Sequence, residues 1–447
     1  MGAADGPGRV FRVGLLGFGT VGSGTARILL HSEPPLRERT GVDIRLHAIA
    51  DIDLERPRDV DVHAVRLTTD ARAVAADPQI DIVVETIGGI EPARTFVLEA
   101  LRHGKAVVTA NKALLALHGR ELFGAARQHG TSIGFEAAVC GGVPLIGAMR
   151  EGMVANRIES IRGILNGTSN YILTRMAESG ASYETALQEA QRQGFAEADP
   201  TMDVDGLDAA HKLALLASLG FHHLVDLDQI HVEGIRGLRD TDLRFATELG
   251  YVVKLLGIAK QHFRSGAAGD HEGVELRVHP ALLARDHPLA GVREENNAVL
   301  VRGDATGDVL FYGKGAGMMP TASAIVADIV GAARGSALPN FEKLQLFGRH
   351  RLAVLPMGRT CCRWYVRFDV ADEPGVLARI AQTLAEHRVS IASFLQKEPH
   401  SAAPLPDRVP IVIITHPTAE ESFQAARRQV ETFAFVAGPG SALRIED

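Results

Sequence analysis

Cysteine, long apolar runs and excess positive charge are all scarce in this chain, and each shortage excludes a class of protein. Three cysteines in 447 residues, Cys140 and the neighbours Cys361 and Cys362, form no disulfide framework and no Cys-x-x-Cys redox spacing. No stretch approaches the roughly 18 consecutive apolar residues that a membrane span requires. Residues Met1 to Arg9 lack a signal-like apolar run, and no Ser or Thr at position six supports myristoylation of Gly2. Basic residues (47) are outnumbered by acidic ones (54), a formal charge of -7, whereas phosphate neutralisation needs clustered Lys and Arg. The expectation is a cytoplasmic protein with neither nucleic acid nor membrane as partner.

What is abundant is material for burial. Apolar residues make up 46% of the chain, and its length implies two to four domains. Val10 to Leu16 reads as a buried strand running into a glycine-rich turn and then a helix, Val21 to Leu30. Strands at Ile44 to Ala50, Ile80 to Glu85 and Ala106 to Thr109 alternate with helical patterns, which implies a doubly wound parallel sheet. Beyond Gly141 the texture changes. Strands are expected at Ile158 to Ile164, Val274 to Val278 and Ala298 to Val301, with helices at Tyr171 to Ser179, Tyr183 to Gln193, Gly206 to Leu219 and Pro320 to Ala333. Gly335 to Gly358 carries no clean periodicity. After it, strand, helix, two strands and a helix, from Arg363 to Thr432, predict a compact ferredoxin-like unit.

Gly17-Phe18-Gly19-Thr20-Val21-Gly22 fits a dinucleotide-binding turn and sits between predicted strand and helix. Its first glycine allows the tight turn, the second lets amides approach a pyrophosphate, and the third lets helix pack on strand. An acidic partner belongs at the end of the second strand, where Asp51 and Asp53 stand, later than the usual spacing of about twenty residues. A carboxylate there favours NAD; Arg56 and Arg58 nearby can reverse the preference, so NAD and NADP both stay open.

The most informative stretch is Gly194 to Lys212, with Glu197, Asp199, Asp203, Asp205 and Asp208 ahead of a single lysine. Asp208 and Lys212 are four apart and share a helix face. In isolation such a pair is a solvated ion pair of a few tenths of a kcal/mol. Here the helix is otherwise strongly apolar, which argues for burial, and the acidic approach suits an amino-bearing substrate.

With Thr109-Ala110-Asn111-Lys112, Glu136 to Pro144, Leu165-Asn166-Gly167-Thr168-Ser169-Asn170-Tyr171-Ile172-Leu173 and Gly315-Ala316-Gly317, this block resembles homoserine dehydrogenases over about residues 10 to 335. The resemblance implies NAD(P)-dependent interconversion of aspartate 4-semialdehyde and homoserine. It makes Lys212 the catalytic acid/base, positioned by Asp208, with Glu197, Asp203 and Thr168 on the substrate. Thr168 would lie in a loop closing over substrate and nicotinamide. The glycine turn, Asp51, Thr86, Lys112 and Gly317 would hold the cofactor. Glu136, Val139, Gly141 and Val143 match a family segment holding a monovalent cation, sodium being the candidate, largely through carbonyls; from the residues alone the segment is only a glycine-rich turn. Phe195 departs from the tyrosine that many relatives carry. His211 reads as packing and Cys140 as a packed thiol rather than a nucleophile.

Phe368 to Leu377, with the turn Pro374-Gly375, resembles the opening of an ACT domain. This implies side-by-side pairing and a threonine effector at Gly375; a domain serving only assembly is the alternative. The implied architecture is α/β. A Rossmann-like domain spans 1–140, completed by 306–335, followed by an α+β catalytic and dimerisation domain over 141–305. A linker, 336–358, leads to a ferredoxin-like ACT domain, 359–447, and the whole is a homodimer or homotetramer. Two other readings stay open: another Rossmann amino-acid dehydrogenase, which would not need the Glu197 to Lys212 arrangement, and a non-catalytic amino-acid sensor.

Overall fold

The computed structural model describes residues 9–263, 271–342, 353–396 and 408–447. The first eight residues, and 343–352 of the expected linker, lie outside them. The elements begin with β1 (Val10–Leu16), α1 (Thr20–His31), α2 (Glu33–Thr40), β2 (Asp43–Ala50), β3 (Arg66–Thr68) and α3 (Ala71–Ala76). Next come β4 (Ile82–Glu85), α4 (Ala93–Arg102), β5 (Ala106–Thr109), α5 (Lys112–Gln128), β6 (Ile133–Gly134) and α6 (Leu145–Gly147). The middle of the chain forms β7 (Ile158–Ile164), α7 (Gly167–Ser179), α8 (Tyr183–Arg192), α9 (Thr201–Val204), α10 (Leu207–Phe221), β8 (His231–Val232) and α11 (Asp240–Glu248). Beyond these lie β9 (Tyr251–Phe263), β10 (His271–Ala284), β11 (Asn296–Gly303), β12 (Gly307–Lys314), α12 (Met318–Ala333) and α13 (Ala337–Glu342). The last elements are β13 (Cys361–Ala371), α14 (Val376–Glu386), β14 (Ile391–Gln396), β15 (Arg408–Thr415), β16 (Thr418–Ala419), α15 (Glu420–Glu431) and β17 (Ser441–Glu446).

These elements form two compact units. The first comprises Met1–Ile161, Ala210–Gln229 and Asn296–Arg351. Its sheet has the order β3-β2-β1-β4-β5-β6, and every pairing is parallel. That is the doubly wound dinucleotide-binding order. Val13, Leu15, Ile49, Ile82, Val84 and Val108 fill it, closed by Ile325 and Ile329 of α12. Gly24 lets α1 lie against α12, since a Cβ there would stand 2.7 Å from Met318. β3 escaped sequence reading because three residues with no buried member carry no period.

The second unit comprises Arg162–Ala209, Ile230–Glu295 and Leu352–Asp447. One strand ties its C-terminal part to its middle part. β17 lies antiparallel to β13 and parallel to β10, so the sheet runs β9-β10-β17-β13-β15-β14 without a break. β17 also completes the expected strand, helix, strand, strand, helix run to a ferredoxin-like six. Around it Trp364 stacks on Phe423 at 4.0 Å, and Ile380, Leu384, Ile411 and Val430 are buried. Asp242 on α11 is fully buried; it accepts from Arg367 Nε at 2.7 Å and from the Tyr365 hydroxyl at 3.0 Å on β13. Breaking such a buried pair costs about 3–5 kcal/mol. Among the described residues no helix is long and apolar enough to cross a membrane.

Candidate active site

At Gly17 and Gly22 the backbone is shaped by contacts that leave no room for a side chain. Gly17 has φ +95°, and a Cβ there would stand 2.7 Å from the Thr86 carbonyl. A Cβ on Gly22 would overlap the Gly17 oxygen, so only glycine lets α1 begin this close to β1. Beside Gly19 the space is open. Gly19 starts α1 without a side-chain cap, which leaves first-turn amides available to an anion. An open approach at Gly19 with crowding at Gly17 and Gly22 is what a bound pyrophosphate requires.

Around this turn Asp51, Thr86 and Arg58 converge. Asp51 accepts from the Phe18 amide at 2.5 Å and from the Asp53 amide at 2.9 Å. Arg58 donates to the Phe18 carbonyl at 2.7 Å, covers the Phe18 ring at 4.6 Å and stands 3.5 Å from Asp51. The Thr86 hydroxyl donates to the Leu16 and Gly17 carbonyls, bracing the turn. Glu85, which sequence reading missed, is fully buried. It accepts from the Ile87 and Gly88 amides and from Thr109 Oγ1 at 2.6 Å, and burial pushes its carboxyl up. Asn111 caps α5 through the Leu114 amide and donates to the Gly89 carbonyl at 2.6 Å; Lys112 is thereby the first residue of α5. Gly317, at φ +118°, starts α12.

In the expected cation segment Cys140 and Gly141 are successive left-handed residues, φ +54° and +33°. Gly141 lies so close to Gly315 that a Cβ would stand 2.7 Å from the Gly315 oxygen. The Glu136 carboxylate accepts the Ile146 and Gly147 amides, each at 2.8 Å, and burial raises its pKa. Val139 and Val143 are buried. Cys140 is buried too, with Asn297 Nδ2 3.5 Å from its sulfur. Among the described residues no group of three His, Cys, Asp or Glu side chains is placed to hold a metal.

The second unit sorts the five carboxylates into two kinds. Asp205 pairs with Arg236 at 2.5 Å, and Asp199 accepts the Thr201 amide two residues on; both are local surface devices. Glu197 is exposed, and its backbone carbonyl accepts from Gln191. Asp203 and Asp208 are drawn together by one amide: Asn166 Nδ2 donates to Asp203 at 2.7 Å and to Asp208 at 2.8 Å. Asn166 Oδ1 accepts the Ser169 amide, capping α7. Asp208 is 6% and Lys212 9% exposed, one turn apart on α10, so the solvated-pair reading does not hold.

One expectation needs correction. Residues 167–170 are the first turn of α7, not a loop. The Asn166 cap winds them up, and the Thr168 hydroxyl is engaged with the Phe195 carbonyl at 2.6 Å. Gly167 allows this start, since a Cβ would stand 2.5 Å from the Glu295 oxygen. The Phe195 ring packs on Tyr171 at 4.8 Å, while Asn166 orders the carboxylates. Sequence reading gave Asn166 no role, although an Asn three residues before Ser169 at a helix start is a capping signal.

Comparison with known proteins decides the family. Family models match at residues 17–136 (homoserine dehydrogenase, NAD binding domain), 144–330 (homoserine dehydrogenase) and 364–434 (ACT domain). The homoserine dehydrogenase of Synechocystis sp. is 44% identical, covering 97% of this chain and 99% of that protein. The chain belongs to the homoserine dehydrogenase family. The Pseudomonas aeruginosa homoserine dehydrogenase is 43% identical over 97% of this chain and 98% of its own length. The crystal structure of a homoserine dehydrogenase from Thiobacillus denitrificans superposes with a TM-score of 0.89 at 43% identity, covering 98% of this chain and 99% of that one. A hyperthermophilic archaeal homoserine dehydrogenase in complex with NADPH reaches 0.59 at 26% identity, covering 73% and 98%. Family membership makes the chain an oxidoreductase using NAD or NADP, and the ACT domain expected from Phe368 to Leu377 is present.

Proposed function

We propose that this chain reversibly reduces L-aspartate 4-semialdehyde to L-homoserine, with Lys212 as acid/base and Asp208 orienting it. The observation that carries this assignment is the single Asn166 amide joining Asp203 and Asp208 one turn before a buried lysine. A bound nicotinamide supplies a hydride to the aldehyde carbon. The Lys212 ammonium stabilises the negative charge that grows on the carbonyl oxygen and gives it a proton, completing the alcohol. Asp203 and Glu197 hold the substrate's amino end, and Thr168 is a third substrate-binding residue. Gly17, Phe18, Gly19, Thr20, Val21, Gly22, Asp51, Thr86, Lys112 and Gly317 line the cofactor site; Arg58 beside Asp51 offers positive charge to a 2′-phosphate.

The deciding experiment is a steady-state assay with homoserine, NAD against NADP. Turnover releasing semialdehyde is expected. Absence of turnover with either cofactor would reject the assignment, and ammonia release would favour the rival amino-acid dehydrogenase. Three finer points belong to the proposal. Threonine acts at the ACT domain, where Gly375 takes φ +94° ahead of α14; unchanged activity and melting temperature at saturating threonine would reject it. Carbonyls of Glu136, Val139, Gly141 and Val143 hold sodium, tested by activity in sodium against tetramethylammonium buffers. The chain works as a cytoplasmic homodimer or homotetramer, which sedimentation resolves.

A further inference from the structure

The last strand of the chain reaches the active-site carboxylates through a short run of contacts inside the second unit. Arg444 on β17 is 3% exposed. Its guanidinium grips Glu233 with two hydrogen bonds, 2.9 and 2.8 Å, and Glu420 with two more at 2.8 Å. Its flat face lies 4.8 Å from the Trp364 ring. Glu233 in turn is fastened to β10, its amide donating to the Val278 carbonyl at 2.8 Å. His231 stands 2.7 Å from the same carboxylate. Burial opposes ionisation of Glu233, but His231 and Arg444 together hold its carboxyl well below the usual carboxylate range.

The backbone just after Glu233 is pressed onto α9. A Cβ on Gly234 would overlap the Val204 carbonyl and stand 2.6 Å from Asp205 Cα. The Ile235 amide donates to that Val204 carbonyl at 2.7 Å. Gly206 is the left-handed residue at φ +82° that joins α9 to α10; a Cβ on it would stand 3.1–3.4 Å from Val232, Val278 and the Glu233 carbonyl. Asp203 and Asp208 flank this turn, one on each helix. The segment bearing both carboxylates therefore rests on the backbone that Arg444 pins.

We propose that Arg444, acting through Glu233 and the 234–235 backbone, is a positioning residue for Asp203 and Asp208, so that the C-terminal domain contributes directly to the geometry of the substrate site. The inference rests on the reading of those two carboxylates given above. Packing of this density passes small displacements on instead of absorbing them, and a bidentate guanidinium–carboxylate pair fixes direction as well as distance.

The test compares two ion pairs made by the same strand. Glu446, two residues after Arg444, pairs instead with buried Arg277 on β10. Glu233→Gln is expected to raise the homoserine KM about tenfold, the scale of one charged hydrogen bond, with the cofactor KM unchanged and faster amide exchange at 203–208. Glu446→Gln should lower the melting temperature and leave both readouts in place. Arg444→Lys, which keeps the charge without the fork, should fall between wild type and Glu233→Gln, and stands in if Glu233→Gln fails to fold. Equal KM shifts in Glu233→Gln and Glu446→Gln, or unaltered exchange at 203–208, would overturn the proposal. Homoserine turnover by the wild type judges the catalytic reading separately, because the exchange measurement needs no activity.

Discussion

The glycine turn and the carboxylate pair solve opposite problems. At 17–22 the chemistry depends on atoms that are missing: Gly17 and Gly22 have no room for a Cβ, and Gly19 leaves an open approach. At Asp203 and Asp208 it depends on atoms that are present, since Asn166 supplies a hydrogen bond to each carboxylate across 37 and 42 residues of sequence. The turn is a local shape, complete within one strand-turn-helix unit. The pair is an arrangement of polar groups, Asp208 buried and Asp203 half-buried, whose cost is met only when every partner is in place. The lesson is that the first fails by overfilling and the second by losing a partner.

The largest expected effect separates them by readout. Lys212→Ala should cut turnover by about 10²–10⁴, the usual worth of acid–base catalysis, while nicotinamide binding, followed by fluorescence, persists. Loss of both together would erase the distinction. Gly22→Ala attacks the other region. The added methyl overlaps the Gly17 oxygen, so the helix start must shift at about 1–3 kcal/mol. Cofactor KM should rise about tenfold or more for each 1.4 kcal/mol of that cost felt at the pyrophosphate, with homoserine KM nearly constant at saturating cofactor.

Asn166→Ala removes a cap worth about 1 kcal/mol and strips one donor from each carboxylate. A fall in kcat/KM of roughly ten- to a hundredfold is expected, at 1–3 kcal/mol for the lost polar partner, and cofactor binding should not change. The smallest effect concerns Lys254, which lies under α7. Its ammonium donates to Asn170 Oδ1 at 3.0 Å and to the Val292 carbonyl, and burial lowers its pKa to about 8. The unfolded chain, with an ordinary lysine near 10.4, binds this proton more tightly, so stability rises with pH between about 8 and 10.4, by at most about 1.4 kcal/mol per unit. Chemical denaturation of Lys254→Met across that window should lack this rise; an identical slope would show that the lysine is not the source.

The ACT region shows where reading by periodicity stops. Its helices and its first strands carry clear patterns, and the Pro374-Gly375 turn was legible because a left-handed position calls for glycine. The last strand was not. Leu443 to Glu446 alternates apolar and charged residues, as a solvated edge strand would, yet Arg444 and Glu446 are buried because their partners arrive from Glu233, Glu420 and Arg277. Asp242 was hidden for the same reason: nothing near it in sequence announces Arg367.

The doubly wound sheet, the glycine turn, the capped helices and a lysine one turn after an aspartate were legible in the chain alone, because each depends on residues within a few positions of one another. Only the tertiary fold settled which two of five carboxylates share a donor, that Thr168 lies in the first turn of a helix, and that β17 joins the C-terminal domain to β10. Those outcomes depend on which buried donor meets which buried acceptor, and a hydrogen bond between residues 166 and 208 leaves no local trace in the chain.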